Sequence, residues 1–405
     1  MTVKRFLHIF LSVFLSAVVT VFSGCRWENT ENTPLSSVTS NISDSRFDSS
    51  VMSMEKTRSL WLSCYDMENI TEYSKESFEA YAKQVINNIY SLGYNTLFLH
   101  IRAFGDAFYR SSIFPFSKSL TGTLGKDPGF DPLEIFISEA RKKGIRLHGW
   151  INPYRMSQND SEENILKDSV LYGFLKDGKA KAFGGKFYLD PGHTDCIDLV
   201  LNGVKEVLEN YDIDGIHFDD YFYPTTSPEF DADTYKTYTE KGGRLSLDDW
   251  RRANVNSLVS SVYRLCERYN KPFGISPSAH ISQDKTDKNY NENYADIALW
   301  LKEEGFVHYI TPQLYFGYDY KAEEFRFNNL LKLWKDIHKR EEISVFIGLG
   351  AYKIDEPTDA DGDEWQQKGK ALVLRQMQDC IEKGFDGYSV FSYRQIIRYN
   401  LNGYD

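Results

Sequence analysis

The chain is poor in the residue types that build metal and redox centres. Its 405 residues include five cysteines and eight histidines. No Cys-x-x-Cys pair or Cys/His cluster surrounds Cys64, Cys196, Cys266 or Cys380, which argues against a structural zinc site and leaves buried thiols as the expectation. His100, His148 and His217 fall one per apolar run, without the H-x-H or H-E-x-x-H spacing of a metal-dependent hydrolase. A basic surplus is lacking too. Lys and Arg total 47 against 58 Asp and Glu, a net charge of -11, so the electrostatic footprint of a nucleic-acid binder is missing. No glycine-rich phosphate loop follows the first apolar run, which weakens an open, doubly wound nucleotide-binding sheet. No cofactor and no metal is called for.

Aromatic residues are abundant instead, with 27 Tyr, 27 Phe and 7 Trp. Flat amphipathic side chains in this number suit stacking on ligand rings, and they also fill cores. A hydrophobic fraction of 41% excludes a largely disordered chain.

Lys4 and Arg5 precede an apolar run from Phe6 to Gly24, the flanks and length of an export signal. It ends in Phe22-Ser23-Gly24-Cys25, which resembles a bacterial lipobox, with Phe22 where Leu is usual. The expectation is a signal peptide over 1–24 and lipidation at Cys25, hence an exported chain lipid-anchored to the cell membrane or envelope. Residues 25–56 are rich in Ser, Thr, Asn, Asp and Glu without periodicity, and read as a flexible tether.

Residues 57–405 alternate short apolar runs with segments of helical period. Strands are expected at Ser59–Ser63, Thr96–Arg102, Arg146–Asn152, Gly215–Tyr221, Phe273–Ser278, His308–Tyr315, Ser344–Gly350 and Gly387–Tyr393. Several intervening helices end at glycine, as at Gly93, Gly144, Gly305 and Gly384. Eight such units predict an α/β fold of the TIM type, a closed (β/α)8 barrel. Its long loops follow strands 2, 3 and 4 (103–130, 153–193 and 222–246), at the rim where barrel active sites sit.

Successive strand residues point to opposite faces, so the apolar set marks the helix side and the remainder looks into the barrel. Ile216 and Phe218 face out, leaving His217, Asp219 and Tyr221 inside. The same parity brings His100 and Arg102, then His148, Trp150 and Asn152, then Thr311, Gln313 and Tyr315 inward, with Ser276 and Ser278 from the fifth strand. The upper ends thus converge on Arg102, Asn152, Asp219, Gln313 and Tyr315. The deeper histidines read as hydrogen-bonded core residues, Arg102 as a partner for a carboxylate, and Trp150 as either barrel filling or a sugar platform.

Asp219 and Asp220 form an acidic pair at a strand's C-terminal end. Glycoside hydrolysis needs a carboxyl that protonates the leaving oxygen, and the pair invites that reading. No carboxylate ends the seventh run, Phe346 to Tyr352, so the common pairing of strands 4 and 7 is not available.

These residues are also familiar. The runs Asp214-Gly215-Ile216-His217-Phe218-Asp219-Asp220-Tyr221-Phe222-Tyr223-Pro224, His148-Gly149-Trp150-Ile151-Asn152-Pro153-Tyr154-Arg155, Asp249-Trp250-Arg251-Arg252-Ala253-Asn254-Val255-Asn256, Gly274-Ile275-Ser276-Pro277 and Thr311-Pro312-Gln313-Leu314-Tyr315 resemble the glycosyl hydrolase-like 10 family of bacterial lipoproteins. The resemblance spans residues 57 to about 395 and implies a barrel glycosidase of the cell envelope acting on wall glycan. The adjacent aspartates are similar to those of barrel hexosaminidases whose nucleophile is the substrate's own acetamido oxygen. On that likeness one aspartate orients the acetamido group and the other is the acid. Parity gives Asp219 the first role and Asp220 the second, with the reverse open. Arg102, Trp150, Asn152, Tyr154, Tyr221, Gln313 and Tyr315 are the expected sugar contacts. Conventional two-carboxylate chemistry, with Asp106, Asp284 or Asp319 as second partner, and a non-catalytic glycan-binding lipoprotein on a degenerate barrel are the alternatives.

Overall fold

Eight parallel strands close into a barrel in the order β1-β10-β9-β8-β7-β6-β3-β2. The computed structural model describes residues 55–67, 74–220, 222–282 and 284–403; Cys25, the export segment, most of the tether and Tyr221 lie outside them. The barrel strands are β1 (Thr57–Leu62), β2 (Thr96–Arg102), β3 (Arg146–Ile151), β6 (Gly215–Phe218), β7 (Phe273–Ile275), β8 (Tyr309–Ile310), β9 (Ser344–Gly350) and β10 (Gly387–Phe391), while β4 (Ala180–Phe183) and β5 (Lys186–Leu189) form a separate hairpin. Closure comes from the parallel pairing of β1 with both β2 and β10. That pairing removes the open edges a doubly wound sheet would keep.

The elements follow from local chemistry. Helix Pro132–Lys143 starts at Asp131, whose carboxylate accepts from the Leu133 and Glu134 amides, with Pro132 in the first turn where its missing N–H is harmless. It stops at Gly144 in the left-handed region, φ 66°. Strands β7 and β8 are shorter than their apolar runs because Pro277 and Pro312 supply no ladder donor. Beyond them pairing resumes only as bridges from Gln313 to Ser278 and to Gly348.

Two apolar layers result. Leu97, Leu99, Leu147, Ile151, Ile216, Phe218, Ile275, Ile310 and Ile347 belong to the large core outside the barrel wall. Trp61, Phe98, Trp150, Tyr309 and Phe346 form a second cluster, which fills the interior. The barrel is therefore plugged midway, with one cavity at its N-terminal end beside Thr57, Arg146 and Phe346 and another at the C-terminal mouth, where barrel active sites sit. All three expected insertions rise there. They carry secondary structure that apolar periodicity did not announce, namely the β4–β5 hairpin and the helices Val170–Lys176 and Ala232–Glu240. Cys64, Cys196, Cys266 and Cys380 are buried and form no disulfide among the described residues.

Candidate active site

The floor of the mouth is set by a hydrogen-bond chain through the barrel axis. The Trp61 indole, which can only donate, bonds His217 Nε2 at 3.2 Å. That fixes the proton of His217 on Nδ1, which faces the Tyr309 hydroxyl at 3.2 Å; Tyr309 in turn reaches His148 Nδ1 at 2.9 Å. Burial holds His217 down at about 3 and, with the Arg146 charge, His148 well below its ordinary range. Both are neutral core histidines. His100 differs: its ring stacks on Trp150 at 3.6 Å, and neither ring nitrogen has a partner.

Above this floor lies a cavity of about 280 Å³, lined by Trp61, Ser63, Tyr65, His100, Trp150, Asn152, Arg155, Asp219, Ser276, Gln313, Tyr315, Tyr352 and Phe391. Among these, Asp219 is the one acidic side chain. Its Oδ1 accepts from the Asp220 backbone N–H at 2.9 Å and from Gln313 Nε2 at 3.2 Å, and Gln313 is itself anchored to the Ser276 carbonyl at 2.8 Å. Both donors address the same oxygen. Asp220 accepts from the Ser278 hydroxyl at 3.1 Å.

At the end of β6 the two carboxyls approach closely enough to share a hydrogen bond. Burial first, and the Asp220 charge second, push the Asp219 carboxyl well above the usual range. Burial raises Asp220 as well, but its hydrogen bonds from Asp219 and Ser278 and the Lys288 charge restrain it. Two like charges this close oppose double ionisation, and the upward push is the stronger on Asp219.

Aromatic rings wall the cavity. Tyr315 meets Trp61 edge-on at 6.5 Å and stacks near Phe391 at 6.0 Å. Asn152 donates through Nδ2 to the Ala103 carbonyl at 3.1 Å, so its buried Oδ1 is held without a partner. A ligand N–H or hydroxyl would satisfy it.

Trp150, Asn152, Asp219, Gln313 and Tyr315 come together as expected from strand parity, with Asp220 beside them. Arg102 does not join them. A register shift between His100 and Arg102 skips Ile101 and pairs Arg102 with Ile151, a residue of the outer layer. This β-bulge resets the alternation, so the guanidinium lies over the Phe114 ring at 4.7 Å, with Asp106 and Tyr109 as the nearby acidic groups. Tyr154 is likewise absent from the cavity. It is fully buried in the outer core, its hydroxyl unpartnered, and the next residue, Arg155, lines the site in its place. Asp284 and Asp319 do not line the cavity either, and Asp106 lines a neighbouring one. Trp61, Ser63, Tyr65, Tyr352 and Phe391 went unnoticed at the sequence level. Parity of the first strand (Ser59, Trp61, Ser63) and of the last (Ser389, Phe391) carried the signal for three of them.

A glycosyl hydrolase from Bacillus subtilis, YngK, is 34% identical over 324 residues, 76% of this chain and 62% of that protein. The chain thus spans about three fifths of that relative's length. The glycosyl hydrolase DigH of Escherichia coli is 34% identical over 317 residues, 73% of this chain and 70% of its own. Among solved structures, the PgaB glycoside hydrolase domain from Bordetella bronchiseptica superposes with a TM-score of 0.54 at 11% identity, over 87% of this chain and 99% of that one. An endo-1,4-beta-mannanase from Rhizomucor miehei gives 0.50 at 14% identity, over 84% and 86%. At such identities these two likenesses bear on the barrel fold alone. The glycosyl hydrolase-like 10 profile matches residues 56–367, and with relatives this similar across most of the sequence the chain belongs to the glycosyl hydrolase-like 10 family.

Proposed function

We propose that this chain is a glycoside hydrolase acting on a polysaccharide of N-acetylated amino sugars, with peptidoglycan glycan strands as the substrate. The observation that carries the proposal is a buried Asp219, its carboxyl pushed well above the usual range, opening onto a cavity walled by Trp61, Trp150 and Tyr315. Asp219 donates its proton to the glycosidic oxygen as the bond from that oxygen to the anomeric carbon breaks. The substrate's acetamido oxygen attacks the anomeric carbon from the opposite side. Water then opens the resulting oxazolinium ring and returns a proton to Asp219. An internal nucleophile fits a cavity lined by one carboxyl, because among the described residues no second carboxylate lines it to attack. Asp220 supplies the negative charge that keeps the proton on Asp219 and favours the cationic intermediate. Asn152 Oδ1 accepts from the sugar. This reverses the roles that parity favoured. The lipobox-like Phe22-Ser23-Gly24-Cys25 supports lipid anchoring at the cell envelope, where such a glycan is found.

The test is incubation with purified, peptide-free glycan strands, with reducing ends followed by mass spectrometry. Oligosaccharides should accumulate, and strands carrying a hydroxyl in place of the acetamido group should stay intact. Binding without any new reducing ends would overturn the catalytic reading in favour of a non-catalytic glycan binder.

The pH profile has a definite sign. Asp219 acts protonated, and its carboxyl is raised, so kcat/KM holds below that raised value and falls as pH climbs through it. Asp220 acts ionised, and its carboxyl is raised too, so the rate also falls as pH drops through that value. Both limbs therefore sit above the ordinary Asp range of about 3.9. Lys288→Gln removes a charge that lowers Asp220, and should move the acidic limb, and not the alkaline one, to higher pH.

A further inference from the structure

Beside the Asp219 cavity lies a second one of about 320 Å³, lined among others by Phe104, Asp106, Ser117, Met156, Gln158 and Asn164. The two share their walls. Ser63 and Arg155 line the first, and the residues that follow them, Cys64 and Met156, line the second. Asn152 of the first donates to the carbonyl of Ala103, which lines the second. Arg155 lines the first and Phe104 the second, and the guanidinium lies over the ring at 4.9 Å, a saddle between the two.

Asp106 is the unusual feature of this second cavity. It is 7% exposed, and its Oδ1 has no hydrogen-bond partner. Burial pushes the carboxyl up to about 6, against the opposing pull of the Ser117 hydroxyl, the Asp106 and Phe104 backbone N–H groups and the Arg102 charge. A buried carboxyl oxygen left unpaired destabilises the empty protein unless a donor arrives from outside. Phe104, Phe108 and Met156 beside Ser119, Gln158 and Asn164 give the mixed flat and polar lining that a pyranose ring needs. Resting on the function proposed above, we infer that this cavity is a second sugar subsite. The glycan chain runs from the Asp219 cavity across the Arg155–Phe104 saddle, and a ring hydroxyl or amide N–H of a neighbouring sugar donates to Asp106.

The experiment titrates the Asp219→Asn protein with peptide-free glycan oligomers of increasing numbers of disaccharide repeats and reads Kd by calorimetry. Affinity should tighten by about tenfold or more once the oligomer is long enough to span both cavities. Adding Asp106→Leu or Phe104→Ala should shrink that length increment to about threefold or less. An increment equal to that of the parent in both variants would overturn the subsite. Should Asp106→Leu fail to fold, Phe104→Ala and Gln158→Ala read the same quantity. Cleavage by the unmodified protein is followed separately. Length-dependent binding with no hydrolysis would sink the catalytic proposal and leave the subsite standing.

Discussion

Asp219→Asn should lower kcat on glycan strands by about 10² to 10⁴, the usual contribution of a positioned general acid, with KM changed by far less. The asparagine can keep the bonds from the Asp220 amide and Gln313, so the cavity should survive while the proton is lost. Asp220→Asn separates the two roles. The Asp220 charge is the second-largest influence raising Asp219, so its removal should drop the Asp219 pKa. The alkaline limb of the pH profile should then move to lower pH, whereas in Asp219→Asn the residual rate should lose that limb altogether. Rate profiles across pH for the two variants check this. If Asp220→Asn lost activity uniformly at every pH while Asp219→Asn kept most of its rate, the assignment of the acid would be the reverse.

The barrel was legible because its physics is repetitive. Each strand contributes an apolar outer face, and the alternation along β6 and the residue after it puts His217 and Asp219 inside and Phe218 outside, as the structure has them. The same rule failed where the backbone departs from regular alternation. One skipped residue at Ile101 turned Arg102 from an inward ligand into a half-paired cation on the outer side. Tyr154, in the loop after β3, has no strand parity to obey and is claimed by the outer core, which leaves Arg155 at the mouth.

Ordering of the acidic pair was beyond sequence for a different reason. Neighbouring aspartates look alike in one dimension. What separates them is solvation and who donates to whom, through Gln313 from β8's extension and Ser278 after β7. Such contacts join residues 94 and 58 positions apart. Insertions were hardest of all, since helix Ala232–Glu240 has no buried residue to impose a period and each strand of the β4–β5 hairpin has only 4 residues, too few to establish one.

The rim loop behind the acidic pair rests on a buried ion pair, and Asp231→Ala should cost about 3 to 5 kcal/mol of stability in denaturant unfolding. Arg251 and Asp231 both have fully buried side chains and meet in a fork, Nε to Oδ2 at 2.8 Å and Nη2 to Oδ1 at 2.5 Å. The remaining guanidinium donors reach the carbonyls of Thr226 at 3.1 Å and Ser227 at 2.7 Å and the Tyr294 hydroxyl at 2.8 Å. Burial pulls the guanidinium pKa down and Asp231 and Tyr294 raise it; arginine is so basic that the charge stays when the partner is removed. An uncompensated cation is then left in the interior. Asp231→Leu combined with Arg251→Met removes both charges and should recover most of the loss. Recovery should be confined to stability. The Thr226 and Ser227 carbonyls lose their donors in the double variant, and they belong to the segment that follows Asp219 and Asp220, so glycan hydrolysis should remain depressed after the fold is restored. A double variant that regained stability and full activity together would mean that the pair supports the fold alone and does not position the catalytic mouth.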